Sequence, residues 1–181
     1  MTASSPLRLL TVHAHPDDES SKGAPSIAKY RSEGILSTLV CCTGGEAGDI
    51  LNPAMDRPEV RENLAQVRLD ELATAAEIIG YDTVDMLGYH DSGMPDSETN
   101  ARPDNFWNAP LDEAVERLVR IIRRDKPQVI VTYGDDQQHY AHPDHLKVHE
   151  ITLPAFARAG DAGWYGNAGE PWQPLKLYYT E

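Results

Sequence analysis

The 181-residue sequence predicts an α/β fold: a doubly wound, mainly parallel sheet covered by helices on both faces. Two observations carry this. Five short apolar runs rich in Val, Ile, Leu and Tyr recur along the chain, and between them lie segments with helical periodicity. The first run, Leu7 to Val12, ends in the polar cluster "HAHPDDES". A helix is expected over 24 to 33, closed by Gly34, with Pro25 delaying its start. The second run, Ser37 to Cys42, leads into "TGGEAGD". Leu64, Val67, Leu72, Ala75, Ala76 and Ile79 form the stripe of one helix over 61 to 79, stopped by Gly80 before the run Thr83 to Leu87. Leu111, Ala114, Val115, Leu118, Val119 and Ile122 mark a helix that opens after Pro110 and ends before Pro127. The last runs are Val129 to Tyr133 and Leu175 to Tyr179. Stretches 92 to 108 and 159 to 174 show neither pattern and read as long loops, which often frame a site.

Composition narrows the function. With 40% hydrophobic and 25% charged residues, the chain is that of a soluble globular protein, and its length suits one domain spanning 1 to 181. Sixteen Lys plus Arg against 29 Asp plus Glu give a formal charge of -13, which repels nucleic-acid backbones and anionic lipid. No segment reads as a signal peptide or a membrane span, so a cytoplasmic protein is expected. Cys41 and Cys42 are adjacent within a strand-like run, which fits buried thiols rather than a disulfide or metal knuckle. "TGGEAGD" is neither a dinucleotide fingerprint nor a P-loop, and the serines lack a nucleophile elbow.

Six of the seven histidines fall in two windows: His13 and His15 after the first strand, and His139, His142, His145 and His149 after "PQVIVTY". Both windows follow the C-terminal end of a parallel strand, where open α/β sheets bind ligands beside the point at which strand order reverses. If the two strands are neighbours there, "HPDD" and "HPDH" face one another and offer imidazole nitrogens and carboxylate oxygens, a donor set suited to zinc or a similar divalent ion. Each proline stiffens its turn and biases the preceding histidine toward extended geometry. One of Asp17 and Asp18 can bind metal while the other acts as base; spacing does not say which, nor whether His13 or His15 is the ligand. The competing readings are ordinary: His13, His90 and His149 as hydrogen-bonded surface residues with His13 alternatively supporting the site, Arg68 paired with Glu71, Lys22 solvated, and Asp91 in an Asx turn.

"AHPDDES", "CTGGEAGD" and "YAHPDHLKVH", in that order, resemble the PIG-L/LmbE-like family of zinc-dependent N-deacetylases and amidases. "ESSKG", "GDILNPAMD", "RLDELATAAEIIG" and "LGYHDSGMP" are similar to its mycothiol S-conjugate amidase branch. The resemblance implies a Rossmann-like catalytic domain. It implies that His15, Asp18 and His145 ligate Zn2+, with Fe2+ or another divalent metal as the alternative. Asp17 would be the general base, His142 would stabilise the oxyanion, Asp144 would orient His142, and Tyr140 would assist from a mobile loop. Glu46, Arg68 and Asp91 would contact a glucosaminyl-inositol group, and Lys22 matches a lysine of the amidase branch. The implied reaction is hydrolysis of the amide of mycothiol S-conjugates to glucosaminyl-inositol and an N-acyl-cysteine S-conjugate. The alternatives are deacetylation of N-acetylglucosaminyl-inositol, a biosynthetic amidase acting on another thiol conjugate, and a metal-binding module of weak activity. A small-molecule substrate is the expected partner, with neither nucleic acid nor membrane; a homo-oligomer is compatible. Relative to the amidase pattern Gln-Gly-Tyr-Pro, the segment reads Gln138-His139-Tyr140-Ala141, which is expected to alter movement of the tyrosine loop. Family members usually continue past "LKLYYTE", so a C-terminal extension is expected to be lacking.

Overall fold

The computed structural model describes residues 6–136 and 141–180. Its elements run β1 (Arg8–His13), α1 (Asp18–Ser21), α2 (Ala24–Ser32), β2 (Leu36–Thr43), α3 (Pro58–Glu62), α4 (Leu64–Ile79), β3 (Thr83–Tyr89), α5 (Leu111–Asp125), β4 (Val129–Tyr133), α6 (Pro143–Arg158) and β5 (Lys176–Thr180). All pairings in the five-stranded sheet are parallel, in the order β3-β2-β1-β4-β5. The chain winds outward from β1 through β2 to β3, then crosses to β4 on the other side of β1. The switch point therefore lies between β1 and β4, with Leu9 opposite Val129 and Thr11 opposite Val131.

Side-chain alternation divides the interior into two cores. Leu10, Val12, Val40 and Ile130 pack with Leu118 and Ile122 of α5 and Val148 and Ile151 of α6. On the opposite face, Leu39 and Cys41 meet Leu72 and Ala76 of α4. The adjacent cysteines are thus both buried and free, one in each core. No helix among the described residues is long and apolar enough to cross a membrane.

Two local expectations are corrected, and two further features stand beside them. The helix expected over 61 to 79 is two helices, α3 and α4. Asn63 breaks the run at φ -121°, ψ 23°, with its side-chain amide donating to Glu59 O at 2.9 Å. α2 begins at Ala24 despite Pro25, because the missing N–H falls in the first turn, where no intrahelical partner is required. α6 has no counterpart in the sequence reading: Pro154 reads as a breaker but lies within the helix, while Val148, Ile151 and Ala155 are buried. Loop 159 to 174 is fastened to α5. Its carbonyls at Ala159, Asp161, Trp164, Tyr165 and Gly169 accept hydrogen bonds from the guanidinium of buried Arg123.

Candidate metal centre

The turn after β1 is held in an unusual backbone state. Asp17 has φ 106°, a region that L-residues rarely occupy, and its N–H donates to Oε2 of buried Glu19 at 2.8 Å. This geometry turns the Asp17 side chain outward, 74% exposed, and leaves its neighbour Asp18 buried. Asp18 Oδ2 accepts from the His15 N–H at 2.9 Å, closing the turn. The second turn is regular. His142 caps α6 with extended backbone, and its Nδ1 accepts from Asp144 N–H at 3.2 Å.

The switch point brings these turns together across more than 120 residues of sequence. His145 Nε2 lies 3.5 Å from Asp18 Oδ1, and His15 Nδ1 lies 3.6 Å from Asp18 Oδ2. One donor atom each from His15, Asp18 and His145 falls within a 4.8 Å cluster, as does one each from His15, Asp91 and His142; all five residues are buried. They line a cavity of about 340 Å³ together with Asp17 and Arg68. His15, the residue common to both clusters, is the one of His13 and His15 that reaches the crevice, whereas His13 does not line it.

Electrostatics fit a cation. The buried carboxylates of Asp18, Asp91 and Asp144 all approach His15, at 3.6, 3.6 and 3.1 Å. Burial opposes protonation of this imidazole, but the three carboxylates outweigh it and raise its pKa well above the ordinary value. Asp18 shows the reciprocal effect: burial favours its neutral form, yet His145 and His15 hold it well below the usual carboxylate range. A divalent ion held by His15, Asp18 and His145 would supply the positive charge that this group of acids faces. His142 differs, because burial and nearby His15 lower its pKa to about 4, so it is a neutral imidazole at neutral pH. Asp17 is raised by burial and by the Asp18 charge, partly offset by Arg68.

Other expected site residues meet different fates. Rather than pairing with Glu71, Arg68 donates through Nη2 to Pro16 O at 2.5 Å and Asp17 Oδ2 at 2.9 Å. A Cβ at Gly45 or Gly48 would come within 2.7 or 2.5 Å of its guanidinium, so the glycines of "GGEAGD" make room for this arginine. Asp91 does form the Asx turn, its Oδ1 accepting from Gly93 N–H at 2.8 Å, and is also buried against His15. Glu46 Oε1 accepts from Asp91 N–H at 3.1 Å and His90 Nδ1 at 2.8 Å, beside the cavity. Lys22 instead lies over the Tyr133 ring, 5.7 Å from its centroid, and is not among the residues lining the crevice. The orientation of His142 by Asp144 runs through the backbone N–H; the carboxylate of Asp144 instead pairs with His15 and accepts from Ser92 N–H at 2.9 Å and from the Ser92 hydroxyl. Tyr140 and His139 lie outside the described residues.

His13 corrects the surface reading. It is fully buried, bonded through Nδ1 to the Tyr133 hydroxyl at 3.2 Å, and burial lowers its pKa to about 4. Glu19, Ser92 and Tyr133 were missed as parts of the centre. Glu19 stands in the motif "HPDDES", but nothing in the spacing marks it as the brace of Asp17; Ser92 lacks a nucleophile elbow and carries no other signal, and Tyr133 reads as an ordinary strand aromatic.

Known proteins share this arrangement of sequence. Mycothiol S-conjugate amidase of Streptomyces coelicolor is 47% identical over 180 residues, covering 97% of this chain and 61% of that protein. The 1D-myo-inositol 2-acetamido-2-deoxy-alpha-D-glucopyranoside deacetylase of Streptomyces scabiei is 44% identical over 179 residues, covering 96% of this chain and 55% of that protein. The chain thus spans 55 to 61% of the length of these two relatives. Among solved structures, N,N'-diacetylchitobiose deacetylase from Pyrococcus horikoshii superposes with a TM-score of 0.76 at 20% identity, covering 96% of this chain and 60% of that one, and so shares the fold. The family model described as PIG-L: GlcNAc-PI de-N-acetylase matches residues 10–156, a span that contains both His-Pro-Asp turns, and the chain belongs to that family.

Proposed function

We propose that this protein is a zinc-dependent amidase that cleaves the amide of mycothiol S-conjugates, releasing glucosaminyl-inositol and an N-acyl-cysteine S-conjugate. The observation that carries the hydrolytic reading is the convergence of His15, Asp18 and His145 from two distant turns into one buried donor cluster. Zn2+, or Fe2+ or another divalent metal in its place, supplies Lewis acidity toward the amide carbonyl and lowers the pKa of water. The remaining work falls to the chain's own groups. Asp17, exposed at the rim with a raised pKa, takes the proton from the attacking water. Because His142 Nδ1 accepts from Asp144 N–H, the proton of the neutral ring sits on Nε2, a donor for charge developing on the carbonyl oxygen. Tyr140 assists the oxyanion and the leaving amine. Glu46, Arg68 and Asp91 contact the glucosaminyl-inositol side, and Lys22 is the amidase-branch lysine.

Deacetylation of N-acetylglucosaminyl-inositol fits at least as well, because relatives bearing that name match at 44 and 45% identity and the chemistry at the carbonyl is the same. The chain functions in this reading as one catalytic domain in the cytoplasm. The deciding assay gives zinc-loaded protein a mycothiol bimane conjugate and, separately, N-acetylglucosaminyl-inositol. Faster turnover of the conjugate supports the amidase, faster release of acetate supports the deacetylase, and turnover of neither despite bound zinc removes the enzymatic reading.

A further inference from the structure

Tyr133, the last residue of β4, lies beneath the crevice and is 1% exposed. Its ring stacks on the imidazole of His145, with centroids 4.5 Å apart and planes inclined by 20°. Its backbone carbonyl accepts from His149 Nδ1 at 2.9 Å, tying β4 to α6 one turn beyond His145. The phenol oxygen joins the exit of β1: Ala14 N–H donates to it at 3.4 Å, and His13 Nδ1 lies at 3.2 Å. His13 Nε2 is buried without a hydrogen-bond partner among the described residues, so the Tyr133 hydroxyl holds this ring through Nδ1.

We propose that Tyr133 is a positioning residue for the metal site: its ring sets the plane of His145, and its hydroxyl, bonded to Ala14 N–H and His13, holds that ring against the end of β1 from which His15 projects. One side chain from β4 thus links His145 of the reading above to the β1 exit that carries His15, whose own ring is held by Asp144. Partners that orient ligands in this way typically change metal affinity by about 10- to 100-fold when removed.

The test measures zinc affinity by competition with a chromophoric chelator and the visible spectrum of the Co2+-substituted protein, neither of which depends on turnover. Tyr133→Phe keeps the stack and loses the hydroxyl; zinc should bind about tenfold more weakly and the Co2+ bands should shift. Tyr133→Leu loses both contacts and should weaken zinc by about 100-fold. His13→Leu should follow Tyr133→Phe, while His13→Asn, which returns a hydrogen-bonding group near the Nδ1 position, should recover toward wild type. This second pair decides the matter if the Tyr133 variants do not fold. A folded Tyr133→Phe protein with wild-type affinity and spectrum overturns the proposal, as does equal behaviour of His13→Leu and His13→Asn. The proposal rests on the metal reading, and the two fail differently. Wild-type protein that takes up neither ion removes both, whereas uptake lost in Asp18→Ala but unchanged in Tyr133→Phe removes the positioning role alone.

Discussion

In the turn after β1, His15-Pro16-Asp17 leads into a four-residue helix with Asp17 at φ 106°, whereas after β4, His142-Pro143-Asp144 forms the cap and first turn of a sixteen-residue helix. The same tripeptide therefore aims its aspartate in opposite directions. Asp17 stands out toward the crevice rim, paired with Arg68, while Asp144 is fully buried and gathers His15 and Ser92. In each turn the following residue, Asp18 or His145, joins the proposed ligand cluster. The difference separates a group able to exchange protons with water from a buried strut, although both are aspartates after proline.

Substitutions can break that contrast. The largest effect is expected for Asp18→Ala: zinc content should fall from full occupancy to near zero by metal analysis, and turnover with it, because a ligand rather than its support is gone. Full zinc stoichiometry in that variant would remove Asp18 from the ligand set. Asp17→Ala should retain zinc yet lose about 10²- to 10⁴-fold in kcat, the usual contribution of general acid-base help. Retained turnover would transfer the base role elsewhere. Asp144→Ala strands Ser92 donors and one face of His15, and should lower unfolding stability by about 3 kcal/mol in urea melts. A loss no larger than that of an exposed surface change would contradict the strut. The smallest effect compares two substitutions at one position. Asp17→Gly should be more stable than Asp17→Ala by about 1 kcal/mol, since only glycine takes the positive φ freely. Equal melting of the two would mean that the turn relaxes once the carboxylate is removed.

Much of the fold could be read from local pattern. The five apolar runs match β1 to β5 within a residue or two, and Gly34 and Gly80 take the positive φ expected of helix stops. α5 was legible because its stripe is unbroken and packed on a single face. α6 was not: Pro154 signals a break, and the compensating burial of Val148, Ile151 and Ala155 is a property of the packed sheet and helix together. The site was legible in kind, since the two histidine-rich windows read at strand exits are the ones that meet in one buried donor cluster.

What the sequence determined alone is whatever depends on neighbours along the chain: alternation of strands and helices, cap residues, proline-stiffened turns and the chemistry gathered in each window. Tertiary structure decided the assignments that depend on register. With β1 beside β4, His13 is drawn under the sheet end onto Tyr133 while His15 enters the crevice; with Asp17 at positive φ, Asp18 alone turns inward. Asp144 holds His15 rather than His142 through its carboxylate for the same reason. Contacts between side chains about 120 residues apart leave no mark in local spacing, because their energy arises only when both strands are in place.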